Sequence, residues 1–286
     1  MKKLECCIWL LLLPAAQNLW AQQLKFDSLV EATRIAREDT NKVILYWKTG
    51  AAVIYQDPEE ALIHFKKGLA LATKLKFDPG IERCYTGASL TFSLNGKYDS
   101  SLHYIDLGVA YARKVDNPAR LALVYLNRAD VYNNLQNLSA ALKNCDTALK
   151  YAELINNKNG LGRIYAIMSD ICVAQKDYSR ALAFIDKSGA CFAETGNRQM
   201  VGMNEYGKGE IYQEMKEPDK AIPFFKKAIR IADSVQDIQN LSSSYCYLAE
   251  IYTKKKKFPE AETMARHALQ YAQQTGNRTQ EGVIYE

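Results

Sequence analysis

A chain of 286 residues could hold about two ordinary domains, yet its 7 Pro and 15 Gly gather in no linker-like stretch. The formal charge of +5 is mild, and Lys and Arg are scattered apart from the run Lys254 to Lys257, in a region where a turn is expected. A nucleic-acid binder concentrates basic residues on one face, so that class is not expected here.

The first element is Met1 to about Ala21. Lys2 and Lys3 precede the apolar run Ile8 to Leu13, Pro14 breaks it, and Leu19-Trp20-Ala21 leads into Gln22. This order predicts a secretory signal peptide. The apolar run is too short to cross a bilayer, which takes about 20 residues. Export to the periplasm is therefore expected, with a tether to the inner membrane only through a segment beyond Glu286. The five cysteines after the leader are Cys84, Cys145, Cys172, Cys191 and Cys246. Their number is odd and no C-x-x-C occurs, which predicts free, buried thiols rather than a disulfide framework.

Residues 22–39 are expected to form a capping helix. Asp27 and Ser28 predict its start, and Leu29, Ala32, Ile35 and Ala36 its apolar face, through about Arg37. Residues 40–286 then repeat. A helix from Thr40 or Asn41 runs to about Tyr55, and Asp57-Pro58 opens the next, to about Lys76. Asp78-Pro79 starts another, which Asn95-Gly96 ends, and Tyr98 to Val115 follows. Later helices alternate near 118–135, 138–155, 158–175, 178–195, 198–215, 218–235, 238–255 and 258–275. Asn, Gly and Pro mark the joints, as in Asp116-Asn117-Pro118 and Thr195-Gly196-Asn197.

The repeat has a period of 40. Ala61, Ser101, Ala141, Ala181, Ala221 and Ala261 form one ladder; Tyr85, Tyr125, Tyr165, Tyr245 and Tyr285 form another. Small residues also recur at Gly68, Gly108, Ala148, Ser188, Ala228 and Ala268, where paired helices should cross. No single pair buries enough surface to stand alone, so stacking must supply the stability. Glu205 interrupts the Tyr ladder with Tyr206 beside it. Gly202, Gly207 and Gly209 weaken the same helix by propensity, which predicts a soft joint there. Tyr285 would open a further helix, so the natural polypeptide is expected to continue past Glu286.

Tyr125, Ala129, Tyr132, Leu138, Ala141, Cys145 and Ala148 resemble a tetratricopeptide repeat, as do Tyr245, Ala249, Tyr252, Phe258, Ala261, Ala265 and Ala268. The usual unit is 34 residues; a unit of 40 resembles the long-helix subgroup of bacterial regulators and kinesin light chains. The resemblance implies an all-α fold, a right-handed solenoid of about six antiparallel helix pairs over residues 40–286. It also implies that the first helix of each pair lines a concave face.

Catalytic chemistry is not expected. His64, His103 and His267 occupy non-equivalent repeat positions, so no metal site is predicted, and no cofactor either. Neither a nucleophile elbow nor a phosphate loop occurs; Gly207-Lys208-Gly209 lacks the rest of one. The tyrosines fall at packing slots rather than at base-stacking positions.

One ladder invites a binding role. Asp130, Asp170, Glu210 and Glu250 are spaced by 40, each five residues after the Tyr slot and so about 140° around the helix from the seam. The resemblance places them on the concave face with Asn127, Asn133, Asn134, Gln213 and Glu214 as neighbours. Relatives that clamp a C-terminal carboxylate use Lys and Asn there, so the acids predict a basic or polar protein or peptide partner, or else a solvated face. Three functions remain open on the sequence. One is the exported input region of a longer chain, resembling the sensor regions of bacterial two-component histidine kinases. The others are a free-standing periplasmic assembly scaffold and a transcriptional regulator.

Overall fold

A computed structural model describes residues 23–275, and every regular element among them is a helix. The short α1 (23–35) is followed by α2 (Thr40–Val53), α3 (Pro58–Lys74), α4 (Asp78–Leu94), α5 (Tyr98–Val115), α6 (Pro118–Asn134) and α7 (Leu138–Leu154). Then come α8 (Lys158–Ala174), α9 (Tyr178–Glu194), α10 (Arg198–Glu214), α11 (Pro218–Val235), α12 (Ile238–Lys254) and α13 (Phe258–Thr275). From α2 onward these bounds lie within about two residues of those expected. The predicted leader and Tyr285 lie outside the described residues.

The chain divides into two compact units that meet in sequence at Gly160–Leu161. In the first, α2 pairs with α3, α4 with α5 and α6 with α7; in the second, α10 pairs with α11 and α12 with α13. Ser169 and Ser188 tie α8 to α9, donating to the Ala181 carbonyl at 2.9 Å and the Gly162 carbonyl at 2.8 Å. Within each unit the hairpins stack in the manner of a solenoid.

From Lys76 onward most turns solve the same end-of-helix problem in the same way. Ten residues from Lys76 to Lys256, one every 20, have positive φ; only Gly96 and Gly196 are glycine. A side chain in this left-handed region costs about 1–2 kcal/mol. The compensation is a pair of bonds to carbonyls that the helix end leaves unpaired: Phe77 N–H reaches the Ala72 carbonyl at 2.9 Å and Lys76 N–H that of Thr73 at 3.1 Å. The next residue then starts the following helix. Asp57, Asn117, Asn137, Asn157, Asp177, Asn197 and Asp237 each accept the N–H three residues on. Each such cap is worth about 1 kcal/mol.

The small-residue ladders are buried as expected, from Ala61 and Ser101 to Ala261, and from Gly68 to Ala268. Large rings fill what the small residues vacate. Phe65 lies against Gly50 and Gly87, Phe192 against Gly162, and Phe225 against Gly209. A Cβ at Gly209 would sit 2.6 Å from the Phe225 ring, so this glycine serves close approach. The Tyr ladder pairs with rings of the second helices: Tyr85 with Tyr111, Tyr125 with Tyr151, and Tyr245 with Tyr271.

Several local expectations are corrected. The first helix is already running at residue 23, so Asp27 and Ser28 lie inside it rather than capping it, and Asp27 accepts from Gln23 at 2.9 Å. Its inward face carries Phe26, Leu29 and Thr33, while Ile35 is 69% exposed. Thr33 meets Thr49 at 3.3 Å, and Phe26 packs edge-on against His64. Glu205 is paired through one carboxylate oxygen, while its Oε2 is buried without a hydrogen-bond partner among the described residues. The side chain is buried, takes Lys227 at 3.0 Å and Lys208 at 3.5 Å, and leaves the aromatic role to Tyr206, which meets Phe225 and Tyr247.

The cysteines described are all free; four are buried and Cys246 is half-buried. Burial pushes the thiols of Cys84 and Cys145 up to about 12. In the lysine run, Lys254 pairs with Glu250 and Lys255 with Asp219. Both charges are thus matched within the fold.

Candidate functional site

The first helix of each hairpin carries the acid ladder. Asp130 sits on α6, in the unit that ends at Gly160; Asp170 on α8, Glu210 on α10 and Glu250 on α12 belong to the other. Their surroundings differ. Asp170 and Glu250 are exposed, while Asp130 and Glu210 are half-buried. The four are therefore not one uniform solvated stripe.

In the second unit, Asp170 and Glu210 face a common pocket with Glu214. It lies between α8 and α10, over α9, and has a volume of about 140 Å³. Val173, Ile185 and Ile211 give it an apolar floor, Ser169 and Gly207 complete its lining, and the three carboxylates stand on two walls. Gly207 keeps the pocket open, because a Cβ there would come within 3.3 Å of the Ile185 methyl group.

The first unit has the same slot. Ser89, Leu90, Ser93, Asn127, Asp130 and Val131 line a cleft of about 20 Å³ between α4 and α6. Each residue stands 80 positions before its counterpart in the larger pocket. Leu90 replaces Asp170, Ser93 replaces Val173, and Asn127 stands where Gly207 leaves space. The expected pair Asn127 and Asp130 is thus brought together, in a cleft with room for about one water. Asn133 and Asn134 do not line it; Asn133 is half-buried and Asn134 exposed at the end of α6.

Glu210 is held rather than solvated. Tyr247 donates to its Oε1 at 3.1 Å, and the Tyr206 phenol acts on the same carboxylate. Burial raises the Glu210 carboxyl above its ordinary range; the two phenols act in the opposite sense, and Glu214 adds to the rise. Burial likewise pushes Tyr247 up to about 12, and Tyr206 upward. Both phenols therefore stay protonated donors at neutral pH. Tyr206 and Tyr247 were not legible as site residues, since only the fold brings Tyr247 of α12 onto α10. Gln213 is half-buried and, like Glu250 with its Lys254 partner, lies outside the pocket lining.

The arrangement can accept a cation with an apolar stem. Among the described residues, no three His, Cys, Asp or Glu come together as a metal site requires. None of the described helices is long and apolar enough to cross a membrane.

Residues 201–274, from α10 through α13, match the sequence model of the tetratricopeptide repeat. No curated protein matches the chain in sequence. Solved structures share its fold. The apo form of RapI superposes with a TM-score of 0.68 at 12% identity, covering 94% of this chain and 98% of that one. A Rap protein complexed with Competence and Sporulation Factor gives 0.64 at 12% identity, over 92% and 80%. A signal transduction ATPase with a tetratricopeptide repeat sensor, from Pyrococcus horikoshii, gives 0.68 at 18% identity, over 96% of this chain and 44% of that one. At these identities the likeness concerns the fold.

Proposed function

We propose, starting from a chain of tetratricopeptide-like helical hairpins, that this protein is a non-catalytic scaffold binding a protein or peptide through the first helices of its hairpins. The observation that carries this is the open pocket between α8 and α10, apolar below and acidic at its walls. A basic or polar partner suits those walls. Replacing Asp130 and Asp170 by Asn, and Glu210 and Glu250 by Gln, removes the charge at nearly constant size. The helices should persist, because Asp170 and Glu250 are exposed and at half-buried Asp130 and Glu210 the isosteric amides can still accept hydrogen bonds. Partners captured from a periplasmic extract by the parent should be released from the variant and should lose their salt sensitivity, since exposed charges act through a field screened over about 8 Å. Identical partners at identical salt strength would reduce the acids to a solvated face.

The leader-like residues 1–21 further support an exported input region of a longer signalling chain, such as a two-component histidine kinase. The ATPase with a repeat sensor offers a parallel, in which helical repeats of this fold form part of a longer signalling protein. A fusion of residues 1–30 to a periplasm-dependent reporter should be exported and cleaved near Ala21. A cytosolic, uncleaved reporter would remove the export claim and favour a regulator inside the cell.

A further inference from the structure

The slot between successive first helices occurs in both units, and the residue at the Asn127/Gly207 position is one of those that differ between them. Asn127 occupies that position where the cleft is about 20 Å³, and Gly207 where the pocket is about 140 Å³. At the next equivalent position, Tyr247 fills the place and bonds Glu210. Gly207 is thus open where Asn127, Ile167 and Tyr247 carry side chains, and unlike Gly87, at the same repeat position, it is not covered by a facing aromatic ring. Glycine there lowers helix propensity by about 1 kcal/mol against Ala, a cost that the open pocket gives a use.

The volume decides what class of group fits. Pockets for drug-sized ligands run to about 300–1,000 Å³, so 140 Å³ suits one side chain rather than a free cofactor. The floor of Val173, Ile185 and Ile211 suits an aliphatic stem. The walls carry three carboxylates and no lining Lys or Arg. An ammonium is a point charge with three donors, whereas a guanidinium spreads five donors in a plane and can serve acceptors on two walls together. Tyr247 fixes the Glu210 carboxylate before anything arrives, so little ordering remains to be done on binding.

We propose that this pocket receives one arginine side chain of a bound peptide, with its guanidinium between Asp170 on α8 and Glu210 and Glu214 on α10. The proposal rests on the peptide-binding reading above and names the residue that the peptide must carry.

The test is selection from a displayed library of random linear peptides on the full chain. In parallel it is run on Gly207→Leu, which fills the pocket, and on Asp170→Asn with Glu214→Gln, which changes two exposed wall residues only. The parent should select peptides with arginine fixed at one position, and both variants should lose that enrichment while keeping parental helicity. A selected peptide resynthesised with citrulline in place of arginine should bind roughly tenfold more weakly or worse, the loss expected for charge-assisted bonds. Peptides selected without arginine, or with lysine at equal strength, overturn the pocket assignment and leave the scaffold standing. A parent that retains no peptide overturns both. Should Gly207→Leu fail to fold, the double wall variant and the citrulline peptide still decide.

Discussion

Replacing Arg120 by Met is expected to destabilise the first unit by about 3–5 kcal/mol at neutral pH, the cost of stranding a buried charge. The charge is that of Glu82 on α4, which is 0% exposed. Its repeat counterparts are small, Ala122, Gly162, Gly202 and Ser242, so the carboxylate is an intrusion into a seam built for close approach. Arg120, in the first turn of α6, donates from Nε at 2.7 Å and pairs with the same oxygen through its terminal nitrogen. Thr86 supplies the remaining bond, at 3.0 Å. Without the guanidinium, Thr86 alone would face a desolvated carboxylate.

Burial already raises the Glu82 carboxyl above its ordinary range, against the pull of Arg120. Losing Arg120 raises it further. An acid whose folded pKa lies above its unfolded value near 4.3 contributes stability that is complete below that value and is lost as pH rises through the folded one. The deficit of Arg120→Met should therefore be smallest at the acid end and largest near pH 8. Urea melts at pH 5 and pH 8 measure it. Adding Glu82→Met should recover most of the loss, because an apolar pair of similar volume is often neutral or better than a buried ion pair. A double variant as unstable as the single one, at both pH values, would assign the loss to packing rather than to charge.

Phe225→Ala is expected to cost about 3–5 kcal/mol in the second unit, as the removal of a fully buried ring. The ring stacks on Tyr247 at 5.0 Å, meets Tyr206 at 5.8 Å, and fills the gap above Gly209. The informative companion is Gly209→Ala. Helix propensity alone favours it by about 1 kcal/mol. A Cβ 2.6 Å from the ring reverses that sign, since overpacking costs about 1–3 kcal/mol. Once Phe225 is Ala the obstruction is gone, and Gly209→Ala should stabilise. The two changes should thus be strongly non-additive, as contacts through a shared space are. Thermal melts of the four proteins in the cycle test this. Additive shifts would mean that Gly209 and Phe225 do not share the space shown, and that the glycines of α10 do mark a soft helix. Phe225→Ala should also loosen Tyr247, the donor that holds Glu210 at the pocket.

What the sequence determined by itself is the helical repeat. Caps act within three residues and seams within four, so Asp57, Asn117 and Asn137 announce their helices without reference to anything distant. The 40-residue ladder of Ala, Gly and Ser likewise marks the crossings, because closely packed axes tolerate little else. Even the acid ladder was legible, and Asp170, Glu210 and Glu214 do meet. The face of α1 was not. Ile35 is apolar yet exposed, and Thr33 is polar yet buried, because its partner Thr49 lies 16 residues away on another helix.

The tertiary structure decided the rest. Glu82 reads as an ordinary surface acid until Arg120, 38 positions on, is laid beside it. Tyr247 reads as a packing residue until its hydroxyl reaches Glu210. Gly207 reads as a weak point in a helix until the space above it is seen between carboxylates. In each case the outcome depends on which of two facing positions on successive helices is filled and which is left empty. That is a property of the pair rather than of either residue. A period of 40 tells which positions face one another, and only the packed side chains tell whether the space between them is a salt bridge, a hydrogen bond or a pocket.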